Sequence, residues 1–246
     1  MRKIKIVLLI TFICLLGFCS WKLFNINKEE DNADNLKEEL IEIIDIPDEV
    51  VEEPKDLIDF AELKNINSDV VGWIKIDDTQ VNYPIVKGKN NSYYLNHSYD
   101  KKWSGYGSIF MDYESSPDFS DFNTFIYGHN TKNGSMFGEL YKYMNFNFYK
   151  EHQTFFIYTP NKNYKATIFS VYVDDTESDS YNQKFKSHDD YKKYIDLIIS
   201  KSKFDTNIDF DLYNKKIVTL YSCSHETNHK KTDRYFIHAV IESLWK

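Results

Sequence analysis

Hydrophobic positions fall into three regimes along this chain. Residues 6–21 (IVLLITFICLLGFCSW) carry no charge, and extending the run to residues 4–24 gives about 21 mostly apolar positions, against the ~20 needed to cross ~30 Å of hydrocarbon. Residues 29–46 then place Leu36, Leu40, Ile43 and Ile44 at helical spacing with acidic residues on the other face. Pro47 and Pro54 punctuate the acidic stretch that follows, and Leu57, Phe60, Ala61 and Leu63 predict a short helix over 56–65. From residue 70 the period changes to that of strands: 70–76, 81–86, 107–113, 123–130, 154–160, 165–175, 216–224 and 234–244 are short β-type runs between polar or Asn/Asp/Gly turns. Two segments between them have helical periodicity, 135–145 and 187–200. The second puts Tyr191, Tyr194, Ile195 and Ile198 on one face behind a Ser187 N-cap. Eight short strands predict a mostly β body, a closed or nearly closed antiparallel-rich barrel, since closure removes exposed edges.

Composition sharpens this picture. The 246 residues leave room for one medium domain with appendages, and 19 Tyr with 18 Phe favour strands over a helical bundle. The formal charge is −8 and no block of Lys/Arg occurs, which argues against a nucleic-acid partner. The charge is also segregated: residues 28–64 hold 15 Asp/Glu against 4 Lys, a net of −11, residues 1–27 carry +4, and the remainder is therefore −8 + 11 − 4 = −1. We therefore expect a cytoplasmic tip and single transmembrane anchor over 1–27, an acidic stalk over 28–55 and an extracytoplasmic domain over 56–246. The basic residues before the apolar run set that orientation by the positive-inside rule. A cleaved signal peptide fits less well because the run exits through Phe18-Cys19-Ser20-Trp21, not a small-residue site. Lipoprotein acylation at Cys14 or Cys19 is disfavoured by the bulky Ile13 and Phe18 before them.

With Cys14 and Cys19 in the anchor, Cys223 is the one thiol of the outward body, so a disulfide framework within the chain is excluded. A lone thiol outside the cell is either buried or used. Residues 216–224 run as a strand to Cys223, a polar loop follows, and Arg234 opens the next strand. Antiparallel pairing would set Cys223 against Arg234 at the mouth of the hairpin, where a guanidinium favours a thiolate and donates to an oxyanion. A general acid/base would be a histidine. His129, directly after Gly128 at the end of a strand, is the candidate, whereas His238 lies within a strand and reads as packed. His225-Glu226-Thr227-Asn228-His229 matches H-E-x-x-H, but the polar surroundings and missing third ligand argue against zinc. We expect no metal and no cofactor.

Thr219-Leu220-Tyr221-Ser222-Cys223 followed by Arg234 resembles the T-L-x-T-C…R signature of sortases. Residues 123–140 (NTFIYGHNTKNGSMFGEL) resemble the segment holding the sortase catalytic histidine, and 70–86 (VVGWIKIDDTQVNYPIV) and 107–113 (GSIFMDY) resemble sortase strands. The resemblance spans roughly residues 56–246. The N-terminal helices and the helix inserted before the Cys strand make it similar to class B, with Ser222 standing where Thr is more usual. It implies an eight-stranded sortase-type β-barrel and a cysteine transpeptidase with Cys223 as nucleophile, His129 as acid/base and Arg234 at the oxyanion. Ser222, Leu95 and Tyr181 would contact substrate. The implied partners are a surface protein bearing a C-terminal sorting signal (NPxTN-like or related), cleaved after Thr through a thioester, and a peptidoglycan amine. With ordinary thiol and imidazole pKa values of ~8.5 and ~6.5, few molecules would hold the thiolate–imidazolium pair, which implies slow turnover. The competing readings are a transpeptidase acting on peptidoglycan stem peptides, whose S-H-G-C order differs from that seen here, and a non-catalytic surface binding module.

Overall fold

A computed structural model describes residues 2–42, 44, 58–207, 211–223 and 232–244. The chain divides into two compact units, Met1–Glu42 and Ile43–Lys246. The first is one helix, α1 (Arg2–Glu42), of 41 residues, or ~60 Å at the usual helical rise. Its apolar part is long enough to cross a membrane, with Leu9, Phe12, Phe18 and Trp21 exposed. The helix continues into the acidic stretch, because Glu, Lys and Leu sustain helical backbone as well as the apolar run does. The segments expected as anchor and as the start of a stalk thus fall within a single element. Residues 45–57, with Pro47 and Pro54, lie outside the described residues.

The second unit begins its regular structure with α2 (Phe60–Ile66), capped by Asp59, whose carboxylate accepts from Glu62 N at 2.9 Å. Eight strands follow: β1 (Val70–Lys75), β2 (Asn82–Val86), β3 (Ile109–Met111), β4 (Asn123–Tyr127), β5 (Thr154–Tyr158), β6 (Asn163–Asp175), β7 (Ile217–Cys223) and β8 (Asp233–Ser243). They close in the order β1-β2-β3-β4-β7-β8-β6-β5, with β5 pairing back onto β1. Ile74, Ile85, Ile109, Ile126, Leu220 and Ile237 belong to the buried cluster that fills the barrel.

The barrel is mixed. Among its pairs β2/β3 and β4/β7 are parallel, and the remainder are antiparallel. Two further helices appear, α3 (Phe146–Glu151) and α4 (His188–Ser200). α4 matches the periodicity: Ser187 caps it by accepting from Asp190 N at 3.2 Å, and Tyr191, Tyr194, Ile195 and Ile198 are buried. The helix expected over 135–145 is instead a series of turns ending in a 3₁₀ segment, Leu140–Met144. Gly134 and Met136 adopt φ of 86° and 53°, in the left-handed region that interrupts a right-handed helix.

Candidate active site

Strand register assembles the site. In the parallel pair β4/β7, Asn123 faces Ile217 and the ladder ends with Tyr127 opposite Tyr221. Gly128 N extends it, donating to the Tyr221 carbonyl at 3.3 Å. The buried Ser222 then donates from Oγ to the Gly128 carbonyl at 2.9 Å. Two residues beyond the paired tyrosines the strands reach His129 and Cys223, and the antiparallel β7/β8 ladder ends with Cys223 opposite Arg234. Positions 129, 223 and 234 therefore leave three neighbouring strands at the same end of the barrel. The Cys223 backbone is described but its side chain is not. Residues 224–231, including the H-E-x-x-H match at 225–229, lie outside the described residues.

His129 is half-buried and held by its far nitrogen: Nε2 lies 2.5 Å from the Leu95 carbonyl oxygen. A carbonyl can only accept, so Nε2 carries a proton and Nδ1 is the nitrogen left for acid/base work. The carbonyl belongs to an exposed 3₁₀ turn, Tyr93–Leu95, that is anchored from below. Tyr94 is fully buried; its hydroxyl donates to Asp69 at 2.7 Å and accepts from Asn67 at 2.8 Å. Gly107 lets the imidazole and the turn approach each other. Its φ is 60°, and a Cβ there would stand 2.5 Å from Tyr94 O, 2.8 Å from Leu95 O and 3.0 Å from His129 Cδ2. The resemblance implied Leu95 as a substrate contact; the structure shows its carbonyl hydrogen-bonded to His129.

Arg234 is half-buried, and its Nη1 donates to the Asp233 carbonyl at 2.9 Å. Asp174 sits opposite it in the β6/β8 ladder. That carboxylate accepts from Lys201 at 2.7 Å and Ser180 at 2.6 Å. Partial burial alone would raise the Asp174 pKa, but these bonds outweigh it and hold the group at about 2.

Tyr181 lies in the insertion between β6 and α4. Its ring packs on Phe125 at 4.8 Å and on Tyr221 at 5.8 Å, and its hydroxyl meets the Tyr127 hydroxyl and the Asp112 carboxylate. Burial pushes the Tyr127 and Tyr181 hydroxyls well above the ordinary phenol range, so both are neutral donors. Residues directly after His129, Asn130 and Thr131, line a cleft of about 410 Å³ together with Gln80, Glu139 and Tyr235.

His238 is fully buried, as the strand pattern predicted. It lies 2.9 Å from Tyr172 Oη and 2.8 Å from Thr219 Oγ1, and burial lowers its pKa to about 3. It is thus a neutral packing residue, outside the acid/base chemistry. Among the described residues no cluster of three His, Cys, Asp or Glu is placed to hold a metal.

The sequence and the fold have counterparts among known proteins. A family model described as Sortase domain matches residues 74–242. Sortase B of Listeria monocytogenes is 37% identical over 173 residues, covering 70% of each chain. A solved structure of sortase B from B. anthracis in complex with AAEK1 superposes with a TM-score of 0.74 at 34% identity, over 87% of this chain and 99% of that one. The Staphylococcus aureus sortase B-substrate complex gives 0.70 at 31% identity, over 76% and 85%. A closed eight-stranded mixed barrel with N-terminal helices is what this chain shares with those proteins, and with the family match it places the chain: it belongs to the sortases, cysteine transpeptidases, and within them to class B.

Proposed function

We propose that this chain is a membrane-anchored transpeptidase that cleaves a C-terminal sorting signal after Thr and joins the surface protein to a peptidoglycan amine. The observation that carries the reading is the register that brings positions 129, 223 and 234 to one barrel end. The Cys223 thiolate attacks the threonyl carbonyl carbon, and the negative oxygen that forms is stabilised by Arg234. Collapse breaks the C–N bond, and His129 Nδ1–H protonates the departing amine. An incoming amine then attacks the thioester carbon, its proton passes to His129 Nδ1, and the thiolate leaves. Leu95 O holds the imidazole throughout, in the place the third member of a triad occupies in other enzymes.

Leu95 and Tyr181 flank the peptide. Ser222 acts from beneath it, fixing β7 against Gly128. The cleft bordered by Asn130 and Glu139 offers the amine an approach. Where no amine arrives, water takes its place and the enzyme acts as a thiol peptidase. The motif is NPxTN-like or related, the setting a Gram-positive cell wall. α1 is the anchor, with the Arg2–Lys5 end in the cytoplasm and the barrel outside the cell membrane.

The test is incubation of the protein with a panel of Pro/Thr-containing peptides and triglycine, read by mass spectrometry. Cleavage after Thr with transfer to triglycine supports the reaction. Cleavage elsewhere, or undiminished turnover after Cys223→Ala, contradicts it.

A further inference from the structure

Asp112, just beyond β3, is fully buried, yet among the described residues none of the ion pairs includes it. Its charge is held by neutral donors. Oδ2 accepts from Tyr127 Oη at 2.5 Å, from Asn91 Nδ2 at 2.7 Å and from Tyr181 Oη at 3.1 Å, while Oδ1 accepts from Glu114 N at 2.8 Å. Burial pushes the Asp112 carboxyl up, but the bonds from Tyr127, Glu114, Gln183 and Asn91 outweigh it and keep the group ionised below the usual carboxylate range. A buried carboxylate without a cation is costly, and such groups concentrate at sites that use them.

Two of its donors are the hydroxyls of Tyr127 and Tyr181. The Tyr127 and Tyr181 hydroxyls also touch each other at 2.5 Å. Three oxygens in mutual contact share two hydroxyl protons, so both protons are retained inside the triangle. Tyr181 therefore meets the groove with its ring and an accepting oxygen, never as a donor. The segment carrying it is fastened to β4 and to the loop that follows β3. Asn123 Nδ2 donates to Asn182 O at 2.9 Å, Ser115 Oγ to Gln183 Oε1 at 3.1 Å, and Lys184 pairs with Glu114 at 2.7 Å.

We propose that Asp112 is a positioning residue for the transpeptidation: it gathers the hydroxyl protons of Tyr127 and Tyr181, fixing the Tyr181 wall of the groove so that it accepts from an N–H or carboxamide donor of the sorting peptide. This rests on Tyr181 lining the peptide groove, as proposed above. An Asn at 112 cannot serve, because its amide nitrogen would face either the Asn91 amide or the Glu114 N–H, donor against donor.

The experiment compares full-length wild type, Asp112→Asn, Tyr181→Phe and the double variant in detergent, using the peptide that wild type cleaves. Asp112→Asn is expected to raise KM tenfold or more with kcat within threefold. Adding it to Tyr181→Phe should change KM by less than twofold, since the carboxylate acts through that hydroxyl. Independent effects that multiply, or an unchanged KM, overturn the proposal. Should Asp112→Asn fail to fold, Tyr127→Phe removes one leg of the triangle and must still raise KM; an unaltered KM refutes the idea. If wild type cleaves no peptide in the panel, the proposed reaction fails separately. Positioning is then read from hydrogen exchange over residues 176–187, where exchange in Tyr127→Phe no faster than wild type overturns it.

Discussion

His129 Nε2 and the Leu95 carbonyl oxygen are hydrogen-bonded at 2.5 Å, and this contact decides which imidazole nitrogen is available for chemistry. The orienting group is a backbone carbonyl on a turn that Gly107 alone allows so close. Gly107→Ala would force a Cβ into Tyr94 O and Leu95 O at a positive φ. On the proposed mechanism, a displacement of the His129 imidazole of ~1 Å is enough to lower kcat/KM by about 100-fold. Steady-state peptide cleavage beside a melting curve checks this; the rate should fall even where Tm moves by only a few degrees.

Arg234→Lys keeps the charge but loses the planar fork that can donate in parallel to an oxyanion. Loss of one such donor typically costs about 10²–10³ in kcat, and we expect a drop of that size with little change in KM. Single-turnover kinetics with a chromogenic thioester would separate this from weakened peptide binding.

His238 gives the protein an acid-sensitive side. Its folded pKa is depressed to about 3 by burial. Below the ordinary histidine value of ~6.5 the unfolded chain takes up a proton that the native state refuses. The unfolded state thus binds more protons between these limits, so stability rises with pH there and falls on acidification, by up to about 1.4 kcal/mol per pH unit. Urea unfolding between pH 4 and 6.5 measures the slope, and His238→Gln should flatten it while lowering stability at pH 7.

Ser222→Ala removes the bond that ties β7 to the Gly128 carbonyl. Loss of one such buried hydrogen bond costs about 1 kcal/mol. Ser222→Thr, which retains the hydroxyl, should leave both Tm and kcat/KM close to wild type; parallel thermal scans and rate assays compare the two.

The eight strands could be read from the sequence because period-2 patterning and turn residues are local signals. So could α4, whose cap and buried face lie within 14 residues, Ser187–Ser200. The parallel neighbours were hidden: β4 and β7 are brought together from 90 residues apart, and nothing local in 123–127 or 217–221 announces which strand each will meet. The hairpin argument did place Cys223 opposite Arg234, since sequential strands pair by default. Asp112 and Gly107 escaped notice for the same reason as the parallel pairs. In 107–113 they look like a turn glycine and a strand-end aspartate, and only the arrival of Leu95, His129, Tyr127 and Tyr181 gives them a task. The helix expected at 135–145 failed because apolar spacing carries no information about the positive φ at Gly134 and Met136.

The most direct test is the intact mass of the full-length protein, acid-quenched during turnover of a sorting peptide. A covalent adduct equal to the peptide's portion up to and including Thr, mapped to Cys223, lost on adding triglycine and absent in Cys223→Ala, is the result expected. Cleavage that proceeds without any adduct, or an adduct that persists when Cys223 is replaced, would contradict it.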